Sequence, residues 1–187
     1  NETEILNTWG SKGWELVRNH WASGRAHRLS KASGRVSVEA RLAALGLELP
    51  EVATPAVAYV PAVISGNLVF TAGQIPLVDG KLMAEGRLGA EITAEAGKEI
   101  AQRCALNAIA AVKSVLGDLG RVKKVVKVVG FVASTPEFTA QPGVVNGASE
   151  LLQAAFGDAG IHARSAVGVA VLPLNSPVEV ELIVEFE

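Results

Sequence analysis

The stretch ARSAVGVAVLP, residues 163–173, has the alternation of a β-strand. Successive side chains of a strand point to opposite faces of the sheet. The odd-numbered positions, mostly β-branched, form one face, which we expect to pack under helices. The even-numbered face carries Arg164 beside the small residues Ala166, Gly168 and Ala170. An arginine among small side chains predicts open space beside a guanidinium, whose planar fork suits a carboxylate.

The final strand, predicted over Val178–Phe186, repeats the alternation with one apolar face. Its other face carries three glutamates: Glu179, Glu181 and Glu185. If the two strands pair through the proline-bounded loop 173–177, Arg164 and Glu179 share one cavity. From alternation alone, a structural ion pair between Arg164 and one of these glutamates is about as well supported as a ligand pocket.

Upstream of these strands, capping and turn residues divide the chain into alternating elements. Ser37 and Thr93 each precede a helical pattern, and glycines end both helices. The predicted elements are a short helix after Ser37, strands Val57–Ser65 and Leu68–Ala72 joined by a Gly66-Asn67 turn, a turn at Asp79-Gly80, a long helix after Thr93, a strand Val122–Ser134 and a helix Pro142–Phe156. This order, β-β-(β)-α-β-α-β-β, predicts an α+β fold with both main helices on one face of a mixed sheet.

Composition suggests one well-packed domain with a short appendage. The 187 residues carry a net charge of −2, with 49% apolar and 19% charged residues. The single cysteine, Cys104, lies on the apolar stripe of the long helix, where it reads as a core residue. No apolar run reaches the roughly 20 residues needed to cross a bilayer. No secretory signal pattern opens the chain, so we expect a cytoplasmic protein with no membrane partner.

Residues 1–35 differ from the rest of the chain in charge and in aromatic content. Six Lys/Arg and three Asp/Glu give this segment +3, whereas the remaining 11 basic and 16 acidic residues give −5. All three tryptophans lie here, and residues 10–17 resemble part of a small uncharacterised bacterial domain with a WGxxGWELV signature. We expect a partial or flexible segment rather than a nucleic-acid-binding arm. If translation of the native protein starts at an alternative start codon at Val36, residues 1–35 are not part of it.

Two longer motifs of residues 36–187 resemble the RidA (YjgF-type) enamine/imine deaminase family. HARSAVGVAVLP, followed by VEVELIVE, is similar to the family's C-terminal signature, and NLVFTAGQIP is similar to its strand-and-turn motif. Tyr59 and Asn146 match the family's N-terminal pocket tyrosine and helix asparagine. The resemblance implies a chorismate-mutase-like fold and a homotrimer with sites at subunit interfaces.

The resemblance also implies a role for individual residues. Arg164 is expected to bind a substrate carboxylate and Glu179 to hold the attacking water. The expected substrate-binding positions are Tyr59, Ala72, Gly73, Asn146 and Ala166. Ala72 and Ala166 depart from the family, which often has serine and cysteine there. No metal or organic cofactor is expected.

The leading functional hypothesis is hydrolysis of small 2-imino or enamine carboxylic acids to 2-oxo acids and ammonia. The main alternative is a regulatory module that binds a small carboxylate-bearing metabolite without turnover, since Ala72 and Ala166 are atypical. An endoribonuclease, an activity ascribed to some relatives, is a weaker alternative. The domain is acidic, lacks a histidine pair and has no aromatic stacking surface. We therefore expect no nucleic-acid partner, and a structural or exposed role for the lone His162.

Overall fold

The computed structural model describes residues 36–52 and 59–187, and the chain divides into two compact units after Glu48. In the first unit, helix α1 spans Val38–Ala44. The Ser37 hydroxyl accepts a hydrogen bond from the backbone N–H of Ala40 at 3.1 Å, as predicted for an N-cap. The tryptophan-rich segment, including residues 10–17, lies outside the described residues.

The second unit contains a five-stranded mixed sheet and a small hairpin. The sheet strands are β1 (Ala62–Ser65), β2 (Leu68–Thr71), β5 (Val122–Ala133), β6 (Ala163–Val169) and β7 (Val178–Phe186), and the hairpin strands are β3 (Leu77–Val78) and β4 (Lys81–Leu82). The sheet order is β1-β2-β7-β5-β6, with β5 and β6 parallel and every other pair antiparallel. The predicted α+β class and the mixed sheet are confirmed.

Two long helices cover one face of the sheet, also as predicted. Helix α2 spans Ala94–Leu116 after its N-cap Thr93, and helix α3 spans Gln141–Phe156. The apolar residues of β7 are almost fully buried on this face: Val178, Val180, Leu182 and Val184. The helices approach each other closely at Gly147, where a Cβ atom would overlap the Lys98 carbonyl oxygen.

The pairing of the two C-terminal strands differs from the prediction. We expected β6 and β7 to pair, but β5 lies between them and pairs with both. The connection from β5 through α3 to β6 is a parallel crossover, which returns β6 to the edge of β5. The other edge of β5 pairs with β7 in the antiparallel direction.

The predicted orientation of β6 is also wrong. Arg164 lies opposite Val128, which lies opposite Leu182, and both are buried under the helices. The even-numbered face of β6 therefore meets α3, and Val167 on the odd face is 44% exposed. Of the small residues on this face, Gly168 is exposed but lies close to a side chain of α3. At Gly168, a Cβ atom would lie only 2.8 Å from the Gln141 Nε2 atom of α3.

Strand ends differ slightly from the sequence expectation. The first strand begins at Ala62, so residues 59–61 of the predicted strand Val57–Ser65 are not part of it, and residues 57 and 58 lie outside the described residues. The strand that carries Arg164 ends at Val169 rather than Leu172. The turn at residues 66–67 is confirmed, with Ser65 paired to Leu68 across it.

Candidate functional site

Arg164 is held by neutral oxygen atoms of α3. Its Nη1 atom donates to Asn146 Oδ1 at 2.8 Å and to Ser149 Oγ at 3.1 Å. Within the described residues, no carboxylate lies at ion-pairing distance, and Nε and Nη2 of the guanidinium make no hydrogen bond. The guanidinium therefore keeps donors that can bind an anionic ligand.

His162 extends this group of side chains. Its Nε2 atom lies 2.9 Å from Ser149 Oγ, and its Nδ1 atom lies 2.6 Å from the Gly160 carbonyl oxygen. Burial lowers the pKa of His162, and the Arg164 charge lowers it further, against the opposing effect of the Gly160 hydrogen bond. The lowered pKa favours the neutral form of the imidazole.

A pocket of about 230 Å³ opens beside these side chains. It is lined by Ser149, Gln153, Gly160, Ile161, His162 and Arg164. Ser149 and Gln153 are not among the site residues predicted from the sequence, and the role predicted for His162 is structural or exposed. The available signal was the spacing of Asn146, Ser149 and Gln153, which puts three uncharged polar side chains along one face of the helix.

Glu179 lies on the open face of the sheet, where its side chain is half-buried. Burial raises the pKa of its carboxyl group, and the nearby Glu181 charge raises it further. No described residue donates a hydrogen bond to this carboxylate or forms an ion pair with it. At Gly73, a Cβ atom would overlap Glu179 Oε1, so the missing side chain makes room for the carboxylate.

The segment around Gly73 is fixed by the sheet and by α2. Gln74 and Val180 exchange two backbone hydrogen bonds, of 2.9 and 3.0 Å. Buried Asn107 of α2 donates from Nδ2 to the Ile75 carbonyl oxygen at 2.9 Å. Arg103 Nε donates to the Leu77 carbonyl oxygen at 2.8 Å. The backbone beside Glu179 is thus held by contacts from two sides.

The structure divides most of the predicted site residues into two groups. Arg164, Asn146 and Ala166 form the arginine group, in which Ala166 lies on the same face of β6 as Arg164. The glutamate group consists of Glu179, Gly73 and Ala72. The Cα atoms of Arg164 and Glu179 are separated by two strand spacings and three residues of register, or about 14 Å. The predicted cavity shared by Arg164 and Glu179 does not form within one chain.

Tyr59 lies away from the arginine group. It precedes β1, at the opposite edge of the sheet from β6, and its side chain is 58% exposed. Two residues later, the Pro61 carbonyl oxygen accepts a hydrogen bond from the Ala72 N–H at 2.8 Å. Tyr59 is therefore connected through the backbone to the glutamate group.

Two further observations concern metals and membranes. Across residues 36–52 and 59–187, no cluster of three His, Cys, Asp or Glu side chains is placed to hold a metal ion. Within that same part of the chain, neither long helix is apolar enough to span a bilayer.

The fold and this arginine-centred arrangement define a chorismate-mutase-like α+β protein. The chain belongs to the family described as "YjgF/chorismate_mutase-like, putative endoribonuclease", whose model matches residues 39–186. The resemblance to YjgF-type proteins in the sequence is thereby confirmed.

Three relatives illustrate the similarity. Protein TCP17 of Trypanosoma cruzi is 48% identical over 155 residues, which cover 82% of this chain and 96% of that protein. The crystal structure of Atu1372, a protein of unknown function from Agrobacterium tumefaciens, is 45% identical with a TM-score of 0.76, and the match covers 80% of this chain and 92% of that one. A structure from Shewanella oneidensis MR-1, described as a putative endoribonuclease, is 40% identical with a TM-score of 0.78, covering 80% and 99%.

Proposed function

We propose that the protein hydrolyses small 2-imino or enamine carboxylic acids to 2-oxo acids and ammonia. The observation that carries this proposal is Arg164, a guanidinium held by two neutral oxygens through one nitrogen, with no acidic partner among the described residues. A carboxylate can accept two parallel hydrogen bonds from the remaining donors. Arg164 then fixes the acid end of the substrate.

Glu179 supplies the proton transfers in this proposal. Water adds to the C=N carbon, and the carboxylate takes the proton that the water loses. Glu179 returns this proton to the nitrogen, which gives a carbinolamine, and then relays the carbinolamine's hydroxyl proton to the same nitrogen. The C–N bond breaks, ammonia leaves, and the C–O bond becomes the C=O group of the 2-oxo acid. A carboxyl group with a raised pKa is better matched to this cycle than an exposed one. Positioning a reactive substrate beside water and one proton carrier provides the catalysis.

The complete site is proposed to form between copies of the chain in a homotrimer. Arg164 and Glu179 lie on opposite faces of one sheet, so within a single chain their side chains do not meet. An arginine group from one subunit and a glutamate group with Tyr59 from its neighbour give one site per interface. The exposed apolar side chains Val63, Phe70 and Val167 lie on the open face of the sheet and suit a face covered by another subunit.

The separation of Arg164 from Glu179 within one chain also favours a second function. Arg164, Asn146 and Ser149 can bind a carboxylate within one chain, without Glu179. The protein then acts as a binding or regulatory module for a carboxylate-bearing metabolite. Ala72 and Ala166, which carry no reactive side chain, are compatible with this function.

The test is to generate 2-iminobutanoate in situ and to follow its loss with and without the protein. We expect the wild type to accelerate hydrolysis and Arg164→Ala to abolish the acceleration. Arg87→Ala, at an exposed position away from both groups, is the matched control. No acceleration by the wild type, together with saturable binding of 2-oxobutanoate, establishes the binding module instead.

RNA cleavage is measured on the same preparation, because the family description includes endoribonuclease. We expect none beyond a nuclease-free blank. Cleavage that is lost in Arg164→Ala contradicts the proposed deaminase as the principal activity.

A further inference from the structure

Ser149, His162 and Arg164 form one chain of hydrogen bonds that ends at a backbone carbonyl group. Arg164 Nη1 donates to Ser149 Oγ at 3.1 Å, and Ser149 Oγ lies 2.9 Å from His162 Nε2. His162 Nδ1 lies 2.6 Å from the Gly160 carbonyl oxygen. The chain connects α3, the turn that follows it, and the beginning of β6.

The direction of every hydrogen bond in this chain is determined by chemistry. A carbonyl oxygen only accepts, so His162 Nδ1 carries the proton that it donates to Gly160. In a neutral imidazole, Nε2 is then an acceptor, and the Ser149 hydroxyl must donate to it. A guanidinium only donates, so Ser149 Oγ presents its lone pairs to Arg164.

The hydrogen bond that the Ser149 hydroxyl donates to His162 controls the orientation of the Arg164 guanidinium. Because the Ser149 hydrogen is directed to His162, the hydroxyl cannot rotate it toward Arg164. Nη1 is consequently held by two acceptors on α3, Ser149 and Asn146, and the guanidinium plane is fixed. Ser149, His162 and Arg164 also line the pocket of about 230 Å³.

We infer that Ser149 and His162 are positioning residues for Arg164, which aim its free donors at the ligand carboxylate. The inference rests on the proposed role of Arg164. Neither residue needs to touch the reacting C=N bond. Their effect is on binding of the carboxylate, which persists from the substrate through the transition state, and such uniform binding changes KM rather than kcat.

Two substitutions of His162 separate positioning from simple packing. The amide of glutamine reaches the place of Nε2, so His162→Gln keeps an acceptor for Ser149. The amide of asparagine reaches only the place of Nδ1, so His162→Asn keeps the donor to Gly160 and loses the Ser149 acceptor. Ser149→Ala removes the same interaction from the other side.

The experiment measures kcat and KM for 2-iminobutanoate, the Kd of 2-oxobutanoate by calorimetry, and Tm for each variant. We expect Ser149→Ala and His162→Asn to raise KM and Kd about 5- to 10-fold, which is within the range for the net contribution of one neutral hydrogen bond. We expect kcat to change less than about twofold. His162→Gln should restore KM and Kd to within about twofold of the wild type.

Equal impairment of the Gln and Asn variants, or wild-type Kd in Ser149→Ala, overturns the inference. So does a rise in Kd that follows a fall in Tm across all three variants. If the wild type binds 2-oxobutanoate without turning over the imine, the proposed function fails while the Kd series still decides the positioning role. If the wild type neither binds 2-oxobutanoate nor turns over the imine, the proposed function and the positioning role are both overturned.

Discussion

Arg164 and Glu179 lie on opposite faces of one sheet, on strands β6 and β7 that are separated by β5. The first is held from the helix-covered side by Asn146 and Ser149. The second lies on the open side beside Gly73. A mechanism that uses both residues therefore requires two copies of the chain, which gives a direct test of the proposed assembly.

Two inactive variants should restore each other. If Arg164→Ala and Glu179→Gln subunits are produced together with different tags, mixed oligomers contain some sites with both residues intact. For random 1:1 mixing, about one quarter of the sites are complete when each draws the two residues from neighbouring copies. Activity of material purified through both tags is the measurement, and each variant alone is the control. Mixed oligomers without activity contradict a shared site.

The rate of imine hydrolysis should depend on ionisation of Glu179. Burial and the Glu181 charge raise the pKa of this carboxyl above its ordinary value of 4.5. Because the base acts in its deprotonated form, kcat/KM should rise with pH through that raised pKa. Glu181→Gln removes one of the two causes, so the acid limb should move to lower pH. Glu185→Gln, on the same face of β7, is the control. An acid limb that Glu181→Gln leaves in place argues against Glu179 as the titrating base.

Gly73→Ala should reduce activity and leave the fold intact. The added Cβ would overlap Glu179 Oε1, the end of a flexible side chain, so the carboxylate moves while the backbone stays. A displacement of about 1 Å at a reacting group can reduce kcat/KM by about 100-fold. The measurement is kcat/KM with Tm for comparison. Wild-type kcat/KM in Gly73→Ala would show that the position of this carboxylate is unimportant.

Gly147→Ala should instead destabilise the protein. Its Cβ would overlap the Lys98 carbonyl oxygen, and α2 and α3 must separate because a backbone atom cannot move away cheaply. Overpacking of this kind costs about 2–3 kcal/mol in the free energy of unfolding. For a chain of this size, that corresponds to a Tm lower by about 5–10 °C.

The control for both glycine substitutions is Gly143→Ala. This residue lies one turn earlier in α3, and nothing lies within 4 Å of an added Cβ. We expect unchanged activity and a Tm at or slightly above that of the wild type, because alanine is the better helix former. A wild-type Tm in Gly147→Ala would contradict the close approach of the two helices.

Local signals in the sequence predicted most of the elements. Ser37 and Thr93 are the N-caps of α1 and α2, because their hydroxyls accept hydrogen bonds three residues later. The alternation of β7 placed Glu179 on the face opposite the buried valines, as the structure has it. Such features depend on a few neighbouring residues, so the sequence alone determines them.

Tertiary structure decided the strand order, the face of β6 and the division of the site. Alternation determines which side chains share a face, but not which face meets a helix. On β6, Arg164 lies on the helix side with the small residues, and Val167 on the opposite face is exposed. The insertion of β5 between β6 and β7 depends on a crossover of distant segments, which no local pattern encodes. Arg164 and Glu179 are therefore predictable from the sequence as candidate site residues, whereas their separation within one chain depends on long-range packing.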